Sequence, residues 1–206
     1  MASLEYEREF RSKGYNNILG IDEAGRGPLA GPLVVAGVIF PSDYENEDIN
    51  DSKQLSDKKR RELFEEIMKN ALEVKVNIID VETIDRLNIY RATKEGMEEI
   101  VRNVGNKCDA VFVDAVKLDN VDKPVLSLIK GDALSVTIAA ASIVAKVTRD
   151  DIMLELDKLY PMYDFKNNKG YGTKAHMLAL EKHGITEHHR MSYAPVFNAS
   201  QPRLDI

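Results

Sequence analysis

The stretch Ile18 to Phe40, ILGIDEAGRGPLAGPLVVAGVIF, constrains the fold more than any other part of the chain. It reads as an apolar strand, an acidic pair, a glycine-rich turn and a second apolar strand. Ile18, Leu19 and Ile21 are the aliphatic and β-branched types that fill a buried strand. Asp22 and Glu23 set two carboxylates where that strand ends. A buried carboxylate without a partner is costly, so a metal ion, a basic side chain or backbone N–H groups must meet them. Gly25, Gly27 and Gly31 keep side chains away, so a ligand can approach the backbone closely. A strand-end acid alone serves equally well as a cap or ion-pair partner. An acid pair running straight into G-R-G points to a site.

The 206 residues suffice for one substantial α/β domain or a domain with an appendage. Residues 1–17 lack the apolar segment of a signal peptide. Gly, Pro or charge breaks each apolar run before it could span a bilayer. The single cysteine, Cys108, cannot form an internal disulfide, and the expectation is a reduced thiol in the cytoplasm. His188 and His189 are adjacent and lack the partner spacing of a zinc site. The net charge of −6 argues weakly against a nucleic-acid partner. Acids gathered at a metal site count against that total, however, while basic residues elsewhere can hold phosphates. Between Lys166 and Arg190, four Lys and one Arg stand against two Glu.

Along the chain, residues 1–17 form a short helix or arm, and strands cover about 18–22 and 33–40. A helix from Asp57 to Asn70 presents Leu63, Phe64, Ile67, Met68 and Ala71 on one face. Its Lys58, Lys59, Arg60 and Arg61 are expected on a solvated face. A strand follows over 74–79, then one helix over 81–104 that Gly105 stops. Ala110–Val113 is a compact strand ending at Asp114, and 125–129 is a further strand. Asp132 precedes a long helix from about Ser135 to Leu159, ended by Pro161. Thr173 caps a final helix through His183. This order implies an α/β fold with a mixed sheet that begins as an antiparallel meander, followed by a helical C-terminal portion.

Asp22, Glu23, Asp114 and Asp132 thus lie at element boundaries, where an α/β sheet builds its crevice. Carboxylates converging there repel one another unless divalent cations neutralise them. Hard oxygen ligands suit Mg2+ or Mn2+ rather than zinc. Paired ions at such sites catalyse phosphodiester hydrolysis. Asp150 lies about 27 Å beyond Asp132 along a continuous helix at ~1.5 Å per residue. It is therefore read as structural, paired with Arg149 or a neighbour. Successive strand residues point to opposite faces, so Asp22 and Glu23 share a site only if the strand ends or twists between them.

The segments GIDEAGRGPLAGPLVVAGVI, DSKQL (51–55), FVDAVKL (112–118), KGDALSVTIAAASIVAKVTRD (130–150) and GYGTKAH (170–176) resemble, in order, the motifs of bacterial ribonuclease HII. The resemblance spans residues 18–193. It implies an RNase H-like fold with a five-stranded sheet, a single catalytic domain over 1–206 with a core of about 18–160, and a substrate-binding portion over 161–206. It implies a cytoplasmic endonuclease, and the sequence itself gives no sign of an oligomer, so a monomer is expected. The substrates would be RNA–DNA hybrids and duplex DNA containing single ribonucleotides, in ribonucleotide excision repair and DNA replication. The products would carry 5′-phosphate and 3′-hydroxyl ends.

By position, Asp22, Glu23, Asp114 and Asp132 match the family's catalytic, metal-binding acids, which take two Mn2+ or Mg2+ ions. Gly25, Arg26 and Gly27 match its turn for reading the ribose 2′-hydroxyl, and Tyr171 its stacking tyrosine. Lys53 and Lys146 are candidate phosphate contacts. Lys146 serves equally well in a salt bridge to a site acid, and His176 and Lys174 equally well at the surface. The spacing of Gly25, Gly27 and Gly31 misses the dinucleotide fingerprint, and a strand follows rather than a helix. A glycosidase is disfavoured by four acids rather than two and by the absence of Trp. A non-catalytic nucleic-acid-binding module of the same fold is the alternative.

Overall fold

The computed structural model describes residues 2–201, so the ends of the expected domain span, Met1 and 202–206, lie outside it. Five strands form one mixed sheet: β1 (Ile18–Ala24), β2 (Leu33–Ile39), β3 (Glu73–Ile79), β4 (Ala110–Asp114) and β5 (Val125–Leu128). Their order is β3-β2-β1-β4-β5. β1 pairs antiparallel with β2, and β2 with β3, while β4 runs parallel to β1 and β5 parallel to β4. The three runs of apolar residues that build β1, β2 and β4 become the buried middle of the sheet, as their composition requires.

Strand parity sorts the side chains into two cores. Leu19, Ile21, Val35 and Val113 pack with Ile84, Met97, Ile100 and Val104 of α3 (Val81–Leu87) and α4 (Ile89–Val104). Val34, Ala36 and Val38 face the other way. They meet Ala139, Ala140, Ile143 and Val144 of α5 (Val136–Leu159), with Leu63 and Ile67 of α2 (Asp57–Asn70). Gly20 points toward α5, where a Cβ would sit 2.2 Å from the carbonyl carbon of Thr137. Only glycine lets the first turn of α5 lie this close to β1. Ser135 caps that turn, its hydroxyl accepting from Ile138 N–H. The buried Glu7 carboxylate of α1 (Glu5–Ser12) accepts from Ser135 Oγ and Thr137 N–H and ties α1 to the same turn.

A third apolar cluster joins Leu29 and Ala30 to Met153 and Leu156 of α5, Tyr163, Phe165 of α6 (Phe165–Asn168), Leu180 of α7 (Lys174–His183) and Val196 of α8 (Ala194–Ser200). This is the helical C-terminal portion, and it packs onto the glycine-rich turn after β1. Among the described residues, no helix is long and apolar enough to cross a membrane.

Four local readings of the sequence need correction. The helix expected over 81–104 is two helices. Asn88 adopts φ +68°, and its side chain accepts from the N–H groups of Tyr90 and Arg91 as the N-cap of α4. A short amide side chain both tolerates that backbone region and competes with the helix for its own N–H groups. Arg60 is not on a solvated face. It is buried, donating to the carbonyls of Ser52 and Leu55 at 2.9 and 2.8 Å. Met68, expected in the apolar face of α2, is exposed. The helix ending at His183 is also not the last, because α8 follows with Pro195 in its first turn, where a missing N–H costs nothing.

Candidate active site

Parity decides where the acids go. Asp22 pairs with Ala36 in the β1–β2 register and so shares the α5 face with it. Asp114 shares its side of β4 with Phe112, which packs on Ile138 of α5. Asp132 sits in the short 3-10 turn Gly131–Ala133 immediately before α5, and Asp114 accepts from Gly131 N–H at 2.7 Å, tying β4 to that turn. Carboxylate oxygens of Asp22, Asp114 and Asp132 consequently lie within 4.8 Å of one another.

Glu23 has the opposite parity and is not in that group of three. It lines the same cleft as Asp22 from the last paired residues of β1, where Glu23 still sits opposite Val35. Arg26 Nη1 stands 3.5 Å from one Glu23 oxygen, and the other oxygen is buried without a hydrogen-bond partner.

The cluster is electrostatically strained. Burial, then Glu23 and Asp114, push the Asp22 carboxyl well above the usual carboxylate range, against the opposing hydrogen bond from Glu23 N–H. Burial, then Asp51 and Asp114, raise Asp132. Burial raises Glu23 despite Arg26. Lys53 Nζ lies 3.7 Å from Asp132. Desolvation opposes the Lys53 charge, but Asp132, Asp22, Asp51 and Asp114 together raise its pKa. Converging carboxylate oxygens, buried or half-buried, all but Glu23's mutually close and one left unpaired, form a donor set that fits a hard divalent cation.

A cleft of about 590 Å³ opens beside the acids, and Gly25, Arg26, Gly27, Lys53, Lys146 and Tyr171 all line it. Gly25 has φ +103°, and a Cβ there would meet Arg149 Nε at 2.2 Å. The Tyr171 ring flanks Gly27, where an added Cβ would lie 3.4 Å from it. Lys146 does not pair with a site acid. Its ammonium holds Asp150 at 2.6 Å, with Arg60 3.9 Å from the other Asp150 oxygen. Asp150 is thus structural, but its partners are Lys146 and Arg60 rather than Arg149.

Two residues outside the sequence-based set shape the turn. Arg149 donates to the carbonyls of Pro32, Lys169 and Ala30. Arg190 donates to those of Gly25, Arg26, Gly31 and Pro32. Both arginines are almost wholly buried. Burial, then Arg190, lower the Arg149 pKa to about 10, which leaves it charged at neutral pH. Both stand among polar and charged neighbours in the sequence, so nothing local marks them.

The strand order, the helix laid across β1 and the acids at the adjoining ends of β1 and β4 define a protein of the ribonuclease H-like fold with an acidic cluster at its sheet edge. The structure of the ribonuclease H2 from Pyrococcus horikoshii OT3 superposes with a TM-score of 0.74 at 24% identity, covering 89% of this chain and 97% of that one. Bst-RNase HIII in complex with Mn2+ shares the fold at a TM-score of 0.66 and 20% identity, over 89% of this chain and 68% of that one. The family profile described as Ribonuclease HII matches residues 19–196, and the chain belongs to that family. The Ribonuclease HII of Enterococcus faecalis is 52% identical over 192 residues, 93% of this chain and 75% of that protein. Membership makes the chain a ribonuclease H-type enzyme acting on RNA–DNA hybrids.

Proposed function

We propose that this enzyme cuts the RNA strand of RNA–DNA hybrids and also cuts duplex DNA on the 5′ side of a single embedded ribonucleotide. The products carry 5′-phosphate and 3′-hydroxyl ends. We extend the proposal to one catalytic domain over residues 1–206, acting as a cytoplasmic monomer. The observation that carries the reading is the group of Asp22, Asp114 and Asp132 oxygens within 4.8 Å, next to a cleft walled by Gly27 and Tyr171.

Asp22, Asp114 and Asp132, with Glu23 beside them, would hold two divalent ions, Mn2+ or Mg2+. Bound ions of this kind supply an activated water for in-line attack and stabilise the departing 3′ oxygen. The exposed Lys53 ammonium, 3.7 Å from Asp132, has three donors and can meet a phosphate as well as that carboxylate. The turn Gly25–Arg26–Gly27 offers backbone groups to the 2′-hydroxyl, which acts as donor and acceptor and distinguishes RNA from DNA. The half-exposed Tyr171 ring can stack on the neighbouring sugar. Lys146, although held by Asp150, reaches the cleft and adds positive potential along the phosphate path.

The test is cleavage of a labelled DNA duplex carrying one ribonucleotide, with an all-DNA duplex and an EDTA sample as controls. The expected result is a single 5′-side cut that needs Mg2+ or Mn2+ and spares the all-DNA duplex. Binding without cutting under either ion would overturn the proposal in favour of a nucleic-acid-binding module.

A further inference from the structure

The described chain contains one fully connected polar chain that catalysis does not use. His176 of α7 is wholly buried and His189 nearly so. Their Nε2 atoms lie 3.1 Å apart. At one end, Thr186 N–H donates to His189 Nδ1 at 3.0 Å. At the other, His176 Nδ1 lies 2.9 Å from the carbonyl oxygen of Tyr171. A backbone N–H can only donate and a carbonyl can only accept, so the direction of every bond between them is fixed. His189 must leave Nδ1 bare and carry its proton on Nε2. His176 must accept at Nε2 and donate from Nδ1. Both rings are then neutral, and adding a proton to either would set N–H against N–H.

The relay joins the Tyr171 segment to the glycine-rich turn. The side chain of His189 reaches Tyr171 through His176. Its backbone pairs with Ala30, flanked by Gly31 N–H donating to His188 O and Arg190 N–H donating to Leu29 O. Leu29 N–H in turn donates to Gly170 O at 2.8 Å. The groups facing the pair are the Tyr163 and Phe165 rings from the segment after α5, with Thr186 and His188 from the turn that carries His189. Two apolar side chains would fill that space without the desolvation cost of four ring nitrogens. What imidazoles add is a directional link that ends on the Tyr171 backbone, which otherwise takes a hydrogen bond from Thr173 N–H.

We infer that His176 and His189 are positioning residues for Tyr171, forming a one-way hydrogen-bond relay that sets the gap between the tyrosine ring and Gly27. The inference rests on the proposed stacking role of Tyr171. It assigns ribonucleotide recognition a support that reaches it through a buried side-chain pair rather than through the cleft surface.

The test is single-turnover cleavage of the one-ribonucleotide duplex by the wild type, His176→Leu, His176→Gln, Tyr171→Ala and the His176→Leu/Tyr171→Ala double variant. His176→Leu should slow cleavage about tenfold, while His176→Gln, which keeps one acceptor and one donor, should stay within about threefold of wild type. In the Tyr171→Ala background His176→Leu should add less than about twofold, because residues acting through one another are not additive. A His176→Leu penalty that persists in full without the tyrosine side chain overturns the relay and leaves the stacking role standing. A Tyr171→Ala protein with wild-type rates overturns both. Independently of any variant, 15N NMR of the ring nitrogens should find both histidines neutral near pH 6, with His189 protonated at Nε2 and His176 at Nδ1. An exposed histidine, with a pKa of about 6.5, is mostly charged at that pH. Charged rings or the reverse tautomers would also overturn the relay.

Discussion

The two walls of the cleft are built on opposite electrostatic principles. The acid wall brings Asp22, Asp114 and Asp132 together with raised Asp22 and Asp132 carboxyls and an unpaired Glu23 oxygen. The loop wall leaves almost nothing unpaired. Arg149, Arg190 and the histidine pair answer the carbonyls of residues 25–32 and 169–171. One wall is unfinished without a ligand, and the other is complete before any ligand arrives. Charge-stabilising chemistry profits from the first arrangement, since its binding energy is realised only when cations and substrate enter. Discrimination profits from the second, because a pre-set gap discriminates without paying to order itself.

The sharpest way to break this contrast is Asp114→Asn. Removing one preorganised charge group should lower single-turnover cleavage by at least about a hundredfold. Urea unfolding in EDTA should show stability unchanged or slightly raised, because a repulsion is gone. Near-normal cleavage would take Asp114 out of the cation-binding set.

Arg190→Lys should do the reverse. One ammonium cannot replace a fork that meets four carbonyls, and leaving them unpaired should cost about 3 kcal/mol of unfolding free energy. An unchanged urea midpoint would show that the loop does not depend on its clamp.

The smallest effect is a pH signature in EDTA. Burial, then the neighbouring His176, lower the His189 pKa to about 4. The unfolded chain therefore binds more protons there between about pH 6.5 and 4, and this contribution to stability is lost as pH falls through that window. Asp22 has its pKa raised, so its contribution runs the other way: stability is gained as pH falls through the folded value. The two oppose each other in the wild type. Asp22→Asn should steepen the acid-side loss of stability, by no more than about 1.4 kcal/mol per pH unit for one proton. A shallower loss would reverse the assigned signs.

Much of the acid wall was legible in the sequence, and little of the loop wall. β1, β2 and β4 announce themselves as short apolar runs, and each catalytic candidate marks the end of one or the start of α5. Strand parity even carried the warning that Glu23 starts on the wrong face. The clamp carries no such local signal. Arg190 meets residues more than 150 positions away in the chain, and only the folded path brings them together. The Lys146–Asp150 pair has ordinary helical spacing, but what it pairs with depends on how α2 and α5 pack. Asn88 shows the same limit in one residue, because a left-handed backbone is a conformation that periodicity does not encode.

Gly20 gives the molecule a fixed gauge. The strand holding Asp22 and the helix that begins just after Asp132 meet backbone to backbone, with no side chain between them. Their separation is therefore set by atomic radii, which do not adjust, instead of by rotamers, which do. A wedge as small as one methyl group at position 20 acts on the acid cluster from two residues away in sequence. The spacing of the acids is thus fixed at a residue that carries no functional group of its own.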